Sequence, residues 1–235
     1  MRFGVDEAGK GPVLGSMFAA AVAADPGALP DDVGDSKAVA PDRRATLETE
    51  VRSVAARVAV AEVPVDRIDD PGTDMNSLTV AAHAEALDAV AGNGLAGSLE
   101  VADALEGPID AGVDLTGTVD ASDTDADRFG RRVADAAHAP VDVHAEHGAD
   151  ASDPLVGAAS IVAKEAREAH VADLADEYGR VGSGYPNDPK TREFLLDHVE
   201  REGTLPDCAR ASWQTSADVL AAVEQTGLGR YEGAE

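Results

Sequence analysis

The sequence predicts an α/β protein with a helical C-terminal appendage, and three features lead there. Short apolar runs bounded by Gly, Pro and Asp alternate with helical spacings through residue 145. Beyond residue 179 the strand-like runs stop and helical patterns alone remain. The 235-residue chain is 44% hydrophobic with a mean hydropathy of −0.18, so disorder of the whole chain is excluded despite its acidity. Aromatics are only 3%, so Ala, Val and Leu must fill the core, each burying less area than a ring.

Taken in order, residues 2–5 read as a strand, 6–15 as a Gly/Pro-rich connection, and 16–24 as a second strand returning beside the first. A helix over 41–56 opens at Ala40-Pro41-Asp42 and carries Leu47, Val51 and Val54 at helical spacing. Residues 58–63 form a strand, and 76–91 a helix with Leu78, Ala82, Leu87 and Val90 facing inward. A short buried strand over 99–102 ends at Asp103, followed by a helix over 125–137 and a strand over 141–145. The longest helical pattern, 155–178, follows Asp153-Pro154. Its first half, 156–163, has almost no charge, so this helix enters the core at one end. A Gly/Pro loop then runs to Pro189, with helices over 191–202 and 216–224. The expected division is a domain over 1–180 and a helical region over 181–235.

Lys and Arg number 19 against 45 Asp and Glu, a net charge of −26. The single cysteine, Cys208, excludes a disulfide framework and a cysteine-rich zinc site. The N-terminus lacks the apolar centre of a signal peptide, and no apolar run approaches the ~18 residues of a membrane span. The expectation is a soluble, cytoplasmic protein with no membrane partner. A pI near 4.3 weighs against a nucleic-acid partner, because counterion release rewards basic surfaces. The alternative is a cytoplasm at molar salt, where the Debye length is ~3 Å and carboxylate repulsion is screened. Composition leaves that choice open.

Four constellations carry the chemistry. Asp6-Glu7 follows an apolar strand and precedes Ala8-Gly9-Lys10-Gly11-Pro12, where glycines permit close backbone approach to a ligand. Gly9, Gly11 and Gly15 miss the dinucleotide-binding spacing by one, and no phosphate loop occurs. Asp103 closes a strand, which in so acidic a chain says little by itself, and Asp150 precedes the apolar helix, where helix entry or dipole compensation is the simpler role for it alone. Together, such acids form a pocket of hard oxygen ligands suited to Mg²⁺ or Mn²⁺. The run 123–127 mimics an EF-hand opening but has Arg128 at the turn glycine and Ala134 at the bidentate position, and so reads as a solvated acidic loop. His144 and His147 lack zinc-protease spacing, and Cys208 reads as packing. Finally, Gly182-Ser183-Gly184-Tyr185-Pro186-Asn187-Asp188-Pro189 places one of three tyrosines on a rigid loop. That ring is either structural or a stacking surface for a sugar or base.

These residues resemble the type 2 ribonuclease H family, the ribonuclease HII enzymes of archaea and bacteria. The likeness runs from Val5-Asp6-Glu7-Ala8-Gly9-Lys10-Gly11-Pro12 through Asp35-Ser36-Lys37, Ala102-Asp103-Ala104 and Ala149-Asp150. It continues through Ala158-Ala159-Ser160-Ile161-Val162-Ala163-Lys164, the Tyr185 loop, and Arg210 with Trp213. The motifs occur in the family's order over residues 5–213, and the unbroken Gly-Ser-Gly-Tyr-Pro resembles the archaeal branch, here with a halophile's composition. The resemblance implies an RNase H-like mixed β-sheet flanked by helices, with a helical C-terminal region that closes over substrate. It implies a metal-dependent endonuclease that hydrolyses the RNA strand of RNA–DNA hybrids and incises at ribonucleotides embedded in duplex DNA. Asp6, Glu7, Asp103 and Asp150 would be the catalytic, metal-binding acids for two Mn²⁺ or Mg²⁺ ions, with Asp6 bridging both. Gly9, Lys10, Gly11 and Tyr185 would read the 2′-hydroxyl and its junction with DNA, while Lys37, Ser160 and Lys164 would contact phosphate or support the site. The enzyme would be a monomer, and the resemblance leaves a replication-clamp contact open. Departures are Lys10 for the usual Arg, Gly148 for Lys, Gly157 for Ser, and Arg167-Glu168 for Arg-Asp. A non-catalytic hybrid-binding protein fits the four retained acids poorly, and an acidic cation buffer leaves Tyr185 and the glycine loop unexplained.

At molar salt counterion release contributes little, so affinity must lean on metals, hydrogen bonds and stacking. Hybrid binding should therefore fall less steeply between moderate and molar salt than for a basic relative. A filter-binding titration across KCl concentrations checks this, and a steep loss contradicts it.

Overall fold

The computed structural model describes residues 1–35, 39–92 and 115–232. Among them, five strands form one mixed sheet: β1 (Arg2–Ala8), β2 (Met17–Ala24), β3 (Arg57–Val63), β4 (Leu115–Asp120) and β5 (Val141–Glu146). Their order is β3-β2-β1-β4-β5, with β1 antiparallel to β2 and parallel to β4. The helices are α1 (Pro41–Val54), α2 (Val65–Ile68), α3 (Met75–Val90), α4 (Ala126–Ala136), α5 (Pro154–Tyr178), α6 (Pro189–Glu202) and α7 (Gln214–Glu232). No described helix is long and apolar enough to cross a membrane.

Side chains on a strand alternate between the two faces of its sheet, and β1 obeys this strictly. Phe3 and Val5 pack with Leu87 of α3 and with Phe129 and Val133 of α4. The opposite face joins Ala20 and Val22 of β2 to Leu47 and Val51 of α1 and to Leu155, Ile161 and Val162 of α5. Gly4 lies on this second face. A Cβ there would stand 2.2 Å from the Leu155 carbonyl carbon and 2.3 Å from the Val156 nitrogen. The α5 backbone therefore rests directly on the β1 backbone, a proximity that only glycine permits.

By contacts the chain divides into two compact units. The first comprises Met1–Lys10, Met17–Val63 and Asp74–Arg167, and holds the sheet with α1, α3, α4 and the first half of α5. The second comprises Gly11–Ser16, Pro64–Thr73 and Glu168–Glu235. Its apolar centre is Leu14, Leu174, Val181, Leu195, Val199 and Val219. There the fully buried Arg210 donates from Nε to the Gly15 carbonyl at 2.8 Å and lies over the Trp213 ring, 4.8 Å from its centroid. Asp69, which closes α2, accepts from the Ala211 and Ser212 amides at 2.7 and 3.0 Å.

Most elements fall where periodicity places them, and the exceptions have physical causes. The first strand continues past Val5 to Ala8, because β2 stays in register with it through Asp6↔Ala20, Glu7↔Ala19 and Ala8↔Phe18. It stops at Gly9, whose φ is +89°. Periodicity does not reveal β4, since Gly117 reads as a turn signal inside Leu115-Thr116-Gly117-Thr118-Val119-Asp120. The glycine is there because a Cβ would overlap the Phe3 carbonyl oxygen and ring on the neighbouring strand. The strand expected over 99–102 lies outside the described residues. The acidic run 123–127 is solvated at Thr124, Asp125 and Asp127 but is more ordered than a plain loop: Asp123 is buried and bound by both oxygens to Arg128 Nη2 at 2.7 and 2.6 Å, and Asp125 caps α4 by accepting from the Arg128 amide at 2.9 Å. Two family departures also find local reasons. Gly148 has φ +68°, which disfavours a lysine, and a Cβ on Gly157 would stand 2.4 Å from the Val33 carbonyl oxygen.

The Gly4 contact yields a direct expectation. Gly4→Ala should destabilise the protein by ~1–3 kcal/mol or prevent folding, because a backbone neighbour cannot step aside as a side chain can. Thermal unfolding at molar KCl, followed by far-ultraviolet circular dichroism, measures it.

Candidate active site

The site grows out of the end of β1. Asp6 lies on the α5 face with Gly4, and Glu7 on the α3 face with Phe3 and Val5, because neighbouring strand residues alternate. Asp6 is buried; its Oδ1 accepts from the Glu7 amide at 2.8 Å, and the Ser160 hydroxyl of α5 donates to its carboxylate. Burial, then the Glu7 charge and more weakly the Asp120 charge, push Asp6 up to about 8, against the lowering effect of the Ser160 bond. Glu7 Oε2 lies 2.8 Å from Nε2 of His83, a fully buried imidazole on α3.

β4 runs parallel to β1 with Val5 beside Val119, so the next residue along, Asp120, stands at the strand end beside Asp6. Its Oδ1 accepts from the Ala149 amide at 2.8 Å. That bond ties β4 to the 3₁₀ turn Ala149–Ala151, which carries the buried Asp150 into the start of α5. Burial first, then the charges of Glu7 and Asp150, raise Asp120 above the usual carboxylate range. Asp120 therefore interacts electrostatically with Asp6, Glu7 and Asp150. Local sequence does not mark Asp120, because the glycine at 117 conceals its strand. The available signal was Thr118-Val119-Asp120, an apolar-to-acid step just before a capped helix.

Asp103 and Lys37, expected in the site, lie outside the described residues. Lys10 donates from Nζ to Asn76 Oδ1, at the start of α3, and to the Ser122 carbonyl, both at 3.0 Å. Its ammonium is thus fixed two residues beyond Asp120. A guanidinium fork is not needed for such single contacts, which is how this chain accommodates the Arg-to-Lys departure. Gly9, in a left-handed conformation, turns the chain from the strand into Lys10. Lys164 follows Ser160 by four residues on α5, one helical turn away.

Tyr185 and Gly11 meet within the second unit, where a Cβ on Gly11 would lie 3.8 Å from the tyrosine Cε1. The loop is rigid: the Gly184 carbonyl accepts from the Val13 and Leu14 amides at 2.8 and 3.2 Å, and Asp188 Oδ2 accepts from the Ser183 amide at 2.7 Å. Tyr185 is 44% exposed, so it does not serve as core packing. Cys208 is buried, and burial pushes its thiol up to about 12, so it is inert packing.

The donor set is chemically suited to divalent cations: carboxylate oxygens around the ends of adjacent strands, one of them buried beside like charges that a cation would neutralise. No three described His, Cys, Asp or Glu side chains already form a metal-binding cluster. The pleat, which sends Asp6 and Glu7 to opposite faces, accounts for part of that separation.

A mixed sheet with carboxylates at the ends of its two central parallel strands places the molecule in the RNase H-like class of folds. The sequence model of the family described as Ribonuclease HII matches residues 3–216. The chain belongs to the ribonuclease HII family. It is 61% identical to ribonuclease HII of the halophilic archaeon Haloarcula marismortui over 98% of this chain and 100% of that one. Among solved structures it resembles ribonuclease H2 from Pyrococcus horikoshii, with a TM-score of 0.78 and 29% identity over 95% of this chain and 99% of that one. It also resembles the ribonuclease HII solved in complex with PCNA from Archaeoglobus fulgidus, at TM-score 0.76 and 32% identity over 93% and 96% of the two chains.

The raised Asp6 carboxyl has a thermodynamic consequence in metal-free buffer. In the unfolded chain the group releases its proton near 3.8, in the folded protein near 8. Between those values the unfolded state binds fewer protons, so this group lowers stability as pH rises, with its full cost above about 8. Asp6→Asn should therefore stabilise the metal-free protein, with a gain that grows from pH 5 to 8 and reaches ~2–4 kcal/mol. Denaturant unfolding in EDTA and molar KCl at both pH values checks this. A gain independent of pH would contradict it.

Proposed function

We propose that this protein is a metal-dependent endonuclease that hydrolyses the RNA strand of RNA–DNA hybrids and incises at single ribonucleotides embedded in duplex DNA. The gathering of Asp6, Glu7, Asp120 and Asp150 around the ends of β1 and β4, in a chain of the ribonuclease HII family, carries this reading. Asp120 takes the place of third strand-end acid, the role that the resemblance had put on Asp103. Those four carboxylates would hold two Mn²⁺ or Mg²⁺ ions, with Asp6 between its neighbours as the shared ligand. When bound, such ions activate water and stabilise the leaving alkoxide of an in-line displacement, giving 5′-phosphate and 3′-hydroxyl ends.

The chain's own residues prepare that reaction. Ser160 orients Asp6 from α5, and the Ala149 amide orients Asp120. Lys10, anchored near Asp120, supplies positive charge for a phosphate, and Lys164 adds a second cation one turn past Ser160. The Gly9 and Gly11 backbones leave room for a sugar edge. Tyr185 offers an exposed ring on which the nucleotide at the RNA–DNA junction stacks, while the 2′-hydroxyl distinguishes RNA from DNA. The protein acts as a monomer in a cytoplasm at molar salt. The PCNA complex of its Archaeoglobus fulgidus relative supports a sliding clamp as its protein partner.

The deciding experiment incubates the folded protein with Mn²⁺ or Mg²⁺ and a duplex carrying one ribonucleotide, at molar and at low salt. Incision on the 5′ or 3′ side of the ribonucleotide, with 5′-phosphate ends, is expected in at least one condition; none in any overturns the reading. Asp120→Asn and Asp103→Asn, assayed side by side, test the third acid. Asp120→Asn should lower kcat by ~10³-fold or more, the scale of losing a major electrostatic contributor to the transition state. A silent Asp120→Asn with an inactive, folded Asp103→Asn returns the role to Asp103.

A further inference from the structure

His83 is an odd choice for its position. It lies in the middle of α3, 0% exposed, on the helix face that packs Val80, Ala86 and Leu87 against the sheet. Nε2 is 2.8 Å from Glu7 Oε2, and because a carboxylate oxygen only accepts, Nε2 carries a hydrogen. Nδ1 is buried without a hydrogen-bond partner among the described residues. An orphaned buried polar atom is destabilising, whereas a leucine would fill the same space without it. Packing therefore does not account for the imidazole.

Glu7 does account for it. The pleat of β1 directs Glu7 toward α3, away from the face that holds Asp6, and its side chain has several rotamers available there. Among the described residues His83 is the hydrogen-bond donor to its carboxylate. The donor itself is held still. Phe129 of α4 meets the imidazole edge-on, with ring centroids 5.2 Å apart and planes at 88°. Phe129 thus backs the ring, and the ring engages Oε2, leaving Oε1 outside this hydrogen bond.

Resting on the reading of Glu7 as a metal-binding acid, we propose that His83 is a positioning residue: its Nε2–H holds Glu7 in one rotamer and thereby sets the affinity of the divalent cation that Glu7 binds. A hydrogen-bond donor behind a ligating carboxylate reduces what must be ordered when the cation arrives. His83 touches neither substrate nor reacting atoms, so its removal should be felt as weaker cation binding rather than as lost chemistry.

Mn²⁺ is titrated into the full-length protein at molar KCl and free ion is followed by electron paramagnetic resonance. The same proteins are assayed for hybrid cleavage across Mn²⁺ concentrations. His83→Phe keeps a ring against Phe129 and removes the donor; it should weaken Mn²⁺ binding ~10-fold or more. Its thermal midpoint should hold or rise, and its kcat should return at saturating Mn²⁺. His83→Gln, which restores an N–H donor, should recover Mn²⁺ affinity to within ~3-fold of wild type. If His83→Phe does not fold, His83→Leu decides by the same titration. Unchanged Mn²⁺ affinity in a folded donorless variant, beside a wild type that binds Mn²⁺ and cleaves, overturns this proposal and leaves the nuclease reading intact. A wild type that neither binds Mn²⁺ nor cleaves overturns the nuclease reading, and this proposal with it.

Discussion

The rest of the site depends on one close approach, that of the α5 backbone to the β1 backbone at Gly4. Leu155 and Val156 rest where a side chain would otherwise stand, so the first turns of α5 lie flat on the α5 face of the central strand. That contact presents Ser160 to Asp6, and the 3₁₀ turn preceding α5 presents Asp150. At Gly157 the helix also comes close to neighbouring backbone, where a Cβ would stand 2.4 Å from the Val33 carbonyl oxygen and 3.0 Å from that of Asp150. Were α5 lifted from the sheet by a methyl group, Asp6 would lose both its donor and its burial. A core made largely of Ala and Val suits this arrangement, because small side chains let backbones approach and leave little freedom to shift.

Burial then creates the chemistry. Asp6 is removed from water in the company of Glu7 and Asp120, and all three would repel one another if ionised without compensation. A stable protein avoids such a grouping unless it serves a purpose, and compensation by divalent cations is the purpose that fits hard oxygen ligands at strand ends. The hydrogen bonds around the group show the same economy. Ser160, the Ala149 amide and His83 each hold one carboxylate from a different element, so the acids are aimed by α5, by the turn before it and by α3. Lys10, on Asn76 and Ser122, is the cation fixed closest in sequence to this group.

The surface charge answers a different demand. Most of the 45 acidic residues lie away from the site, and a net charge of −26 suits molar salt, where repulsion between surface carboxylates is screened within a few ångströms. Several of these acids still do local work. Asp125, Asp74 and Asp188 cap helices α4, α3 and α6, and Asp123 pairs with Arg128. The acidity is therefore part of how the helices begin as well as how the surface is solvated. It does not contradict the polyanionic substrate proposed above, because in that reading recognition would rest on metals, on the 2′-hydroxyl and on a stacking ring rather than on a basic face.

The sequence by itself determined the class of fold, the alternation of strands and helices, the inward face of α3, Leu47 and Val51 but not the exposed Val54 on α1, and the acids Asp6, Glu7 and Asp150. Each of these is a local matter: hydrophobic period, capping residues and turn signals are set within a few residues of one another. Ser160 and Tyr185 were legible through family motifs whose spacing lies within a single segment. Asp120 was decided only by tertiary structure. Its strand contains a glycine required by Phe3 on the neighbouring strand, so the local signal reads as a turn while the sheet demands an edge-to-edge fit. The pairing of His83 with Glu7, across 76 residues of sequence, was likewise invisible, since helical periodicity marks an inward position without saying which residue waits there. Local patterns fix which face of an element is buried; only the packed fold fixes which buried groups meet, because register and close approach depend on partners far along the chain.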